Sequence, residues 1–104
     1  MAREQLQTLS EPMYYILLSL TEPRHGYDIM TRVSELSGGR VAVGAGTLYT
    51  LLSRFEKEKI IYLYAEEKRR KIYALTEKGL EILKEEYRRL KTMVNDGNFL
   101  ENIK

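Results

Sequence analysis

Four side chains able to hydrogen-bond, Thr47, Tyr49, Thr50 and Ser53, fall within seven residues, and two cations, Arg54 and Lys57, follow them. A second basic group, Lys68-Arg69-Arg70-Lys71, lies a short distance downstream. Hydroxyls and amides can read base edges, and cations can meet phosphates, so this pattern suits a polyanionic partner. The charge is unevenly spread. Between Arg40 and Tyr73 there are eight basic and four acidic residues, a net +4, while the whole chain carries +2, which leaves −2 for the remainder. A solvated basic face is the alternative reading of the same count. Other chemistries have few residues to draw on. There is a single histidine, His25, and no cysteine, no metal-ligand spacing and no phosphate-loop pattern. No metal, cofactor or catalytic constellation is expected, and the chain does not read as an enzyme. His25 stands at a helix start, where capping or exposure to solvent is its expected role.

The chain that must position these groups has 104 residues, enough for one small domain. With 31% charged and 43% hydrophobic residues it has the balance of a soluble globular protein. The longest apolar run, Met13 to Leu18, is six residues, far short of the roughly 20 that a membrane-spanning helix needs. With no cysteine and no signal peptide, a cytoplasmic protein is expected.

Residues 1–9 read as a flexible polar lead-in. Ser10-Glu11-Pro12 then starts a first helix, because proline and an acidic residue favour the first turn. Met13, Ile16, Leu17 and Leu20 share one face, and Glu22-Pro23 is the expected end. Tyr14 and Leu18 lie off that face and are apolar too. A second helix should open near His25-Gly26, with Ile29, Met30, Val33 and Leu36 inward, and Gly38-Gly39 should close it. Arg40 to Val43 reads as a minimal strand. A third helix runs from Gly44-Ala45-Gly46-Thr47 to about Lys59, burying Leu48, Leu51, Leu52 and Phe55. On the helical wheel Gly46, Thr50, Ser53 and Lys57 fall opposite, between about 140° and 200° from Leu48, with Thr47, Tyr49 and Arg54 beside them. For Tyr49, core packing and a base or phosphate contact are both open. Ile60–Ala65 and Lys71–Leu75 form a hairpin whose charged tip has no Gly or Asn. Thr76 caps a last helix running to about Val94, closed by Asn95-Asp96-Gly97. Its Leu80, Leu83, Tyr87, Leu90 and Val94 are spaced 3, 4, 3, 4, which is the seam of a coiled coil. The seam can pair two chains, with Tyr14 or Leu18 against it, or pack on its own domain. Gly79 early in this helix points to a close helix crossing.

Helix, helix, short strand, helix, hairpin, helix is the layout of a winged helix-turn-helix, an α+β and mostly α fold. Residues 1–76 would form it, and 77–104 would be a C-terminal dimerisation helix and tail. The third helix would enter the major groove of DNA with Gly46, Thr47, Tyr49, Thr50, Ser53, Arg54 and Lys57, and the hairpin would bring Lys68, Arg69, Arg70 and Lys71 to the adjacent backbone. A winged helix that binds protein rather than DNA is the competing reading. It would call for apolar anchors on the third helix, where Thr, Ser, Arg and Lys stand instead.

His25-Gly26-Tyr27, Gly38-Gly39-Arg40-Val41, Gly46-Thr47-Leu48-Tyr49 and the run from Arg70 to Gly79 resemble the PadR family of transcriptional regulators, over about residues 12–90. The single C-terminal helix resembles its short subfamily. The resemblance implies a homodimeric repressor on a palindromic operator in double-stranded DNA, joined through its first and last helices. It also implies, for some members, a small aromatic effector held near the dimer interface. The candidate lining here is Tyr14, Leu18, Tyr87, Leu90 and Met93; the alternative is that these side chains fill the interface. The chain departs from the family pattern at Ala45 and Thr50, where proline is frequent. It has no tryptophan to stack a planar ligand, Leu90 holding the nearest equivalent position, and its wing lacks the usual glycines.

Overall fold

A computed structural model describes residues 8–104. Helix α1 spans Glu11–Ser19. Ser10 caps it by accepting the Met13 N–H, and Pro12 lies in its first turn. The helix stops before Glu22-Pro23 because other groups take its last carbonyls: Arg24 Nε donates to Ser19 O at 2.8 Å, and Thr21 Oγ1 donates to Leu18 O at 3.0 Å. Helix α2 spans Gly26–Leu36 with His25 as its N-cap. Gly38 and Gly39 follow it at φ 62° and 82°, the left-handed conformation that glycine adopts without strain. Helix α3 spans Ala45–Lys57, and helix α4 spans Glu77–Asp96, followed by a 3-10 turn over Asn98–Asn102.

The strand expected at Arg40–Val43 does not form. Val41 and Val43 are buried, but as plugs in the core. Ser37 Oγ holds the Val41 backbone, accepting its N–H at 3.0 Å, so no ladder partner is needed. The short strand is instead β1, Arg24–His25, which precedes α2. It pairs antiparallel with β3 (Arg70–Leu75), Arg24 opposite Tyr73 and His25 opposite Ile72. Strand β2 (Ile61–Glu67) flanks β3 on the other side, giving the order β1-β3-β2. The register shifts between Leu63 and Ala65, so Tyr64 is an extra residue in β2. Lys68 and Arg69 close the hairpin with φ of 50° and 66°. Two successive positive φ angles make a two-residue turn of the kind usually built from Asn-Gly.

The core joins all four helices and the sheet. Ile16, Leu17, Ile29, Val33, Leu48 and Phe55 are wholly buried. Leu36, expected inward on α2, is partly exposed at its end. The lead-in expected over residues 1–9 lies outside the described residues up to position 7, and Leu9 is a core residue whose N–H donates to Glu86 Oε2 at 3.3 Å. Nor does α4 stand apart from what precedes it: Ile82, Leu83 and Glu86 are buried against the rest of the domain. No helix among the described residues is long and apolar enough to cross a membrane.

The start of α4 is fastened to the end of α3. Thr76 Oγ1 accepts the Gly79 N–H at 2.9 Å and lies 2.7 Å from Lys59 O, to which it donates. Lys78 Nζ donates to Glu58 O at 2.8 Å, which places a cation on the negative end of the α3 dipole. A Cβ at position 79 would strike Ile60 O. Gly79 is thus required by the backbone leading into β2, not by the helix crossing expected from the sequence.

Candidate nucleic-acid interface

Every residue of the expected DNA face, from Gly46 to Lys57 on α3 and from Lys68 to Lys71 on the hairpin, is exposed. Leu48, Leu52 and Phe55 hold α3 by its opposite face, so the hydroxyls and cations point away from the core. Tyr49 is 53% exposed and is not a core side chain. Its hydroxyl lies against the Cα of Gly26, where any Cβ would collide with it. This contact explains two motifs together. His-Gly-Tyr on α2 and Gly-Thr-Leu-Tyr on α3 meet in space, and the glycine of the first makes room for the tyrosine of the second.

Between the start of α2, the middle of α3 and the hairpin lies an open cleft of about 540 Å³. Tyr49 and Ser53 line it from α3, Arg69, Arg70 and Lys71 from the wing, and His25 and Tyr27 from the α2 side. On the other flank of α3 is a second concavity of about 810 Å³, lined by Ser53, Arg54, Lys57, Glu58, Lys59 and Lys78. Ser53 borders both, so α3 forms a ridge between two basic hollows. Gly46, Thr47, Thr50 and Lys68 lie outside both hollows as lined.

The cations differ in how far they are neutralised. Arg40, which counted toward the basic segment, is spent elsewhere: Nη1 pairs with Glu11 Oε2 and Nη2 donates to Tyr15 Oη, each at 2.9 Å. Those hydrogen bonds, to Glu11 first, hold its guanidinium pKa up. Arg54 pairs with Glu58 at 3.3 Å. Among the described residues no ion pair ties Lys68, Arg69, Arg70 or Lys71 to a carboxylate, although Glu67 and Arg70 are opposite in register. Like charges packed at a hairpin tip raise the local potential for an anion. Tyr73 at the cleft floor stays a neutral donor, because burial, with the nearby Glu56, pushes its phenol up.

Several participants escaped the sequence reading. His25 and Tyr27 enter the cleft because β1 pairs with the wing, and Lys59 and Lys78 flank α3 because of the Thr76–Gly79 fastening. The neighbouring Gly26 and Gly79, each pressed by another element, were the only local signs.

The residues expected at a dimer interface lie on the α1–α4 side. Leu83 is the exception: at 4% exposure it belongs to the chain's own core, because the first half of α4 closes the domain. Leu80 is partly exposed beside Leu20 and Leu75, and Leu90 is half-buried. Tyr87 is 54% and Val94 70% exposed, and Met93, Phe99, Leu100 and Ile103 extend the apolar surface. Tyr14 is half-buried, its phenol pKa raised by burial and by Tyr87. Leu18 is half-buried on the same helix.

Three helices, a three-stranded antiparallel wing and a long final helix define a winged-helix protein. Residues 16–85 match the model of the Transcriptional regulator PadR-like family. The chain belongs to this family of winged-helix, DNA-binding transcription regulators. A PadR-like transcription factor from Bacteroides fragilis has a similar structure, with a TM-score of 0.67 and 31% identity, covering 86% of this chain and 87% of that one. A PadR-like transcriptional regulator from Bacillus cereus gives a TM-score of 0.69 at 28% identity, covering 90% and 92%. An uncharacterized 37.1 kDa protein in transposon Tn4556 of Streptomyces fradiae is 35% identical over 72 residues, which is 68% of this chain. The chain spans 20% of that protein's length.

Proposed function

We propose that this regulator is a homodimeric repressor that binds a palindromic operator, α3 reading the major groove and the wing gripping the adjacent backbone. The observation that carries the reading is the placement of an exposed, hydroxyl-bearing α3 face and a wing tip whose cations Lys68 to Lys71 form no ion pair among the described residues on two sides of one cleft. Thr47 and Thr50 would meet base edges. Gly46 would let the backbone approach closely, and Tyr49, Ser53, Arg54, Lys57 and Lys68 to Lys71 would supply the remaining hydrogen-bonding and phosphate contacts. Two α3 helices in a two-fold dimer need half-sites roughly 34 Å apart. The exposed apolar surface of Tyr87, Leu90 and Val94, with Tyr14 and Leu18 of α1 beside it, supports pairing through α1 and α4. A planar aromatic effector between Tyr14, Leu18, Tyr87, Leu90 and Met93 would induce by favouring a dimer whose α3 helices are wrongly spaced for DNA.

The test is binding to the DNA upstream of the protein's own gene over a salt series. Each phosphate neutralised contributes about −0.9 to the log–log slope. Lys57→Ala and Arg69→Ala should weaken binding to all sequences and flatten that slope. Thr47→Ala or Thr50→Ala should change sequence preference instead. Unchanged affinity and slope in both charge variants would overturn the assigned face. For the effector, titration calorimetry should show planar aromatics binding wild type more tightly than Tyr87→Ala, and less tightly with operator present.

A further inference from the structure

His25 is the only histidine, and the chain has no cysteine. It is therefore the one side chain whose unperturbed chemistry changes charge between about pH 5 and 8. Its ring stands where β1, α2 and the wing meet. Nδ1 lies 3.4 Å from the Asp28 backbone N, Nε2 lies 3.3 Å from Asp28 Oδ2, and Nε2 lies 3.2 Å from Arg70 Nη1. A neutral imidazole has one donor and one acceptor nitrogen. If Nδ1 accepts the Asp28 N–H and caps α2, the proton sits on Nε2, where it can donate to the Asp28 carboxylate. Arg70, which can only donate, then faces another donor. The opposite tautomer accepts from Arg70 and gives up the cap. No neutral ring satisfies both neighbours, and the contact with Arg70 is left wanting an anion.

The surrounding charges point the same way. The wing presents Arg69, Arg70, Lys71 and the phenol of Tyr73, α2 presents Asp28 and the phenol of Tyr27, and α3 presents the hydroxyls of Tyr49 and Ser53. Arg24 on β1 is held by Ser19 O and Glu22. In the free protein three cations and one carboxylate thus stand around the ring. A phosphodiester in the cleft reverses that balance: it neutralises the wing and gives an imidazolium a partner, which offsets the Asp28 N–H cap that a doubly protonated ring no longer accepts.

We propose that His25 is a phosphate-binding residue of the DNA interface and takes up a proton as DNA seats, so that DNA affinity rises as pH falls. The inference rests on the DNA-binding reading of the cleft. Linkage makes the slope of log affinity against pH equal to the protons taken up, at most about tenfold per pH unit for each His25. The probe is duplex DNA selected from a random pool by the wild-type protein, measured by anisotropy from pH 8 to pH 5.5 at constant ionic strength. His25→Asn is the matched variant, because asparagine keeps an N-cap acceptor but does not titrate. Wild-type affinity should rise roughly fivefold or more between pH 7.5 and 6. His25→Asn should lose that rise. Lys57→Ala should bind more weakly throughout but keep the slope. The single histidine also gives one set of ring resonances in NMR, whose titration midpoint should move to higher pH when DNA is added. Equal pH slopes in wild type and His25→Asn, or a midpoint that DNA leaves unmoved or lowers, would overturn the role of His25 alone. No binding at any pH would overturn the reading of the cleft, and this inference with it.

Discussion

The two halves of α4 follow the same 3, 4 spacing and meet opposite environments. In the first half Gly79 is pressed against Ile60 O, and Ile82, Leu83 and Glu86 are buried. Glu86, 1% exposed, accepts from Arg89 Nη2 and Nε at 2.6 and 3.0 Å and from the Leu9 N–H, so even its charge is enclosed with partners. In the second half Tyr87, Met93 and Val94 stand open, and Lys91 Nζ lies 5.9 Å from the Tyr87 ring centre. An apolar period thus identifies the face that wants covering, but not what covers it. The first half is covered by its own chain; the second is left exposed.

Three substitutions test that division, the largest effect first. Leu83→Asp would bury a charge without a counterion in the core, costing on the order of 5 kcal/mol and unfolding the domain. Thermal melting should show the loss at every protein concentration; a folded monomer would move Leu83 from the core to an interface. Gly79→Ala gains helix propensity but sets a Cβ against a carbonyl that cannot withdraw without shifting β2, for a net loss of about 2 kcal/mol. Denaturant unfolding would read it, and a stabilised variant would mean that the fastening of α4 to α3 yields easily. Val94→Asp should change the stability of the monomer by no more than about 0.5 kcal/mol, because the site is exposed. It should still abolish self-association in sedimentation. Dimers persisting in Val94→Asp would erase the contrast between the two halves.

The helices and the hairpin were legible because burial on one face leaves a period, and α3 showed both its faces that way. Thr76 was legible as a cap, and Ser10-Glu11-Pro12 as a helix start, because their chemistry is local. The strand misplaced at Arg40–Val43 shows the limit. Its β-branched residues do bury, but a strand also needs a partner, and β1, two residues long, is too short to carry a period. The seam position of Leu83 was legible and its covering was not, since α1 and α4 meet only in three dimensions. His25 could be read as a cap from its position. Its place against Arg70 depends on a pairing between residues 45 positions apart.

The hairpin tip also bears on how such a protein can be improved. Lys68 and Arg69 hold a left-handed backbone that costs an ordinary residue roughly 1–2 kcal/mol, and asparagine and glycine would hold it more cheaply. Those replacements would take two positive charges from the wing. Selection for heat resistance alone would therefore favour a tougher protein with a less basic wing. The strained lysine and arginine put charge at a turn where asparagine and glycine would sit more easily.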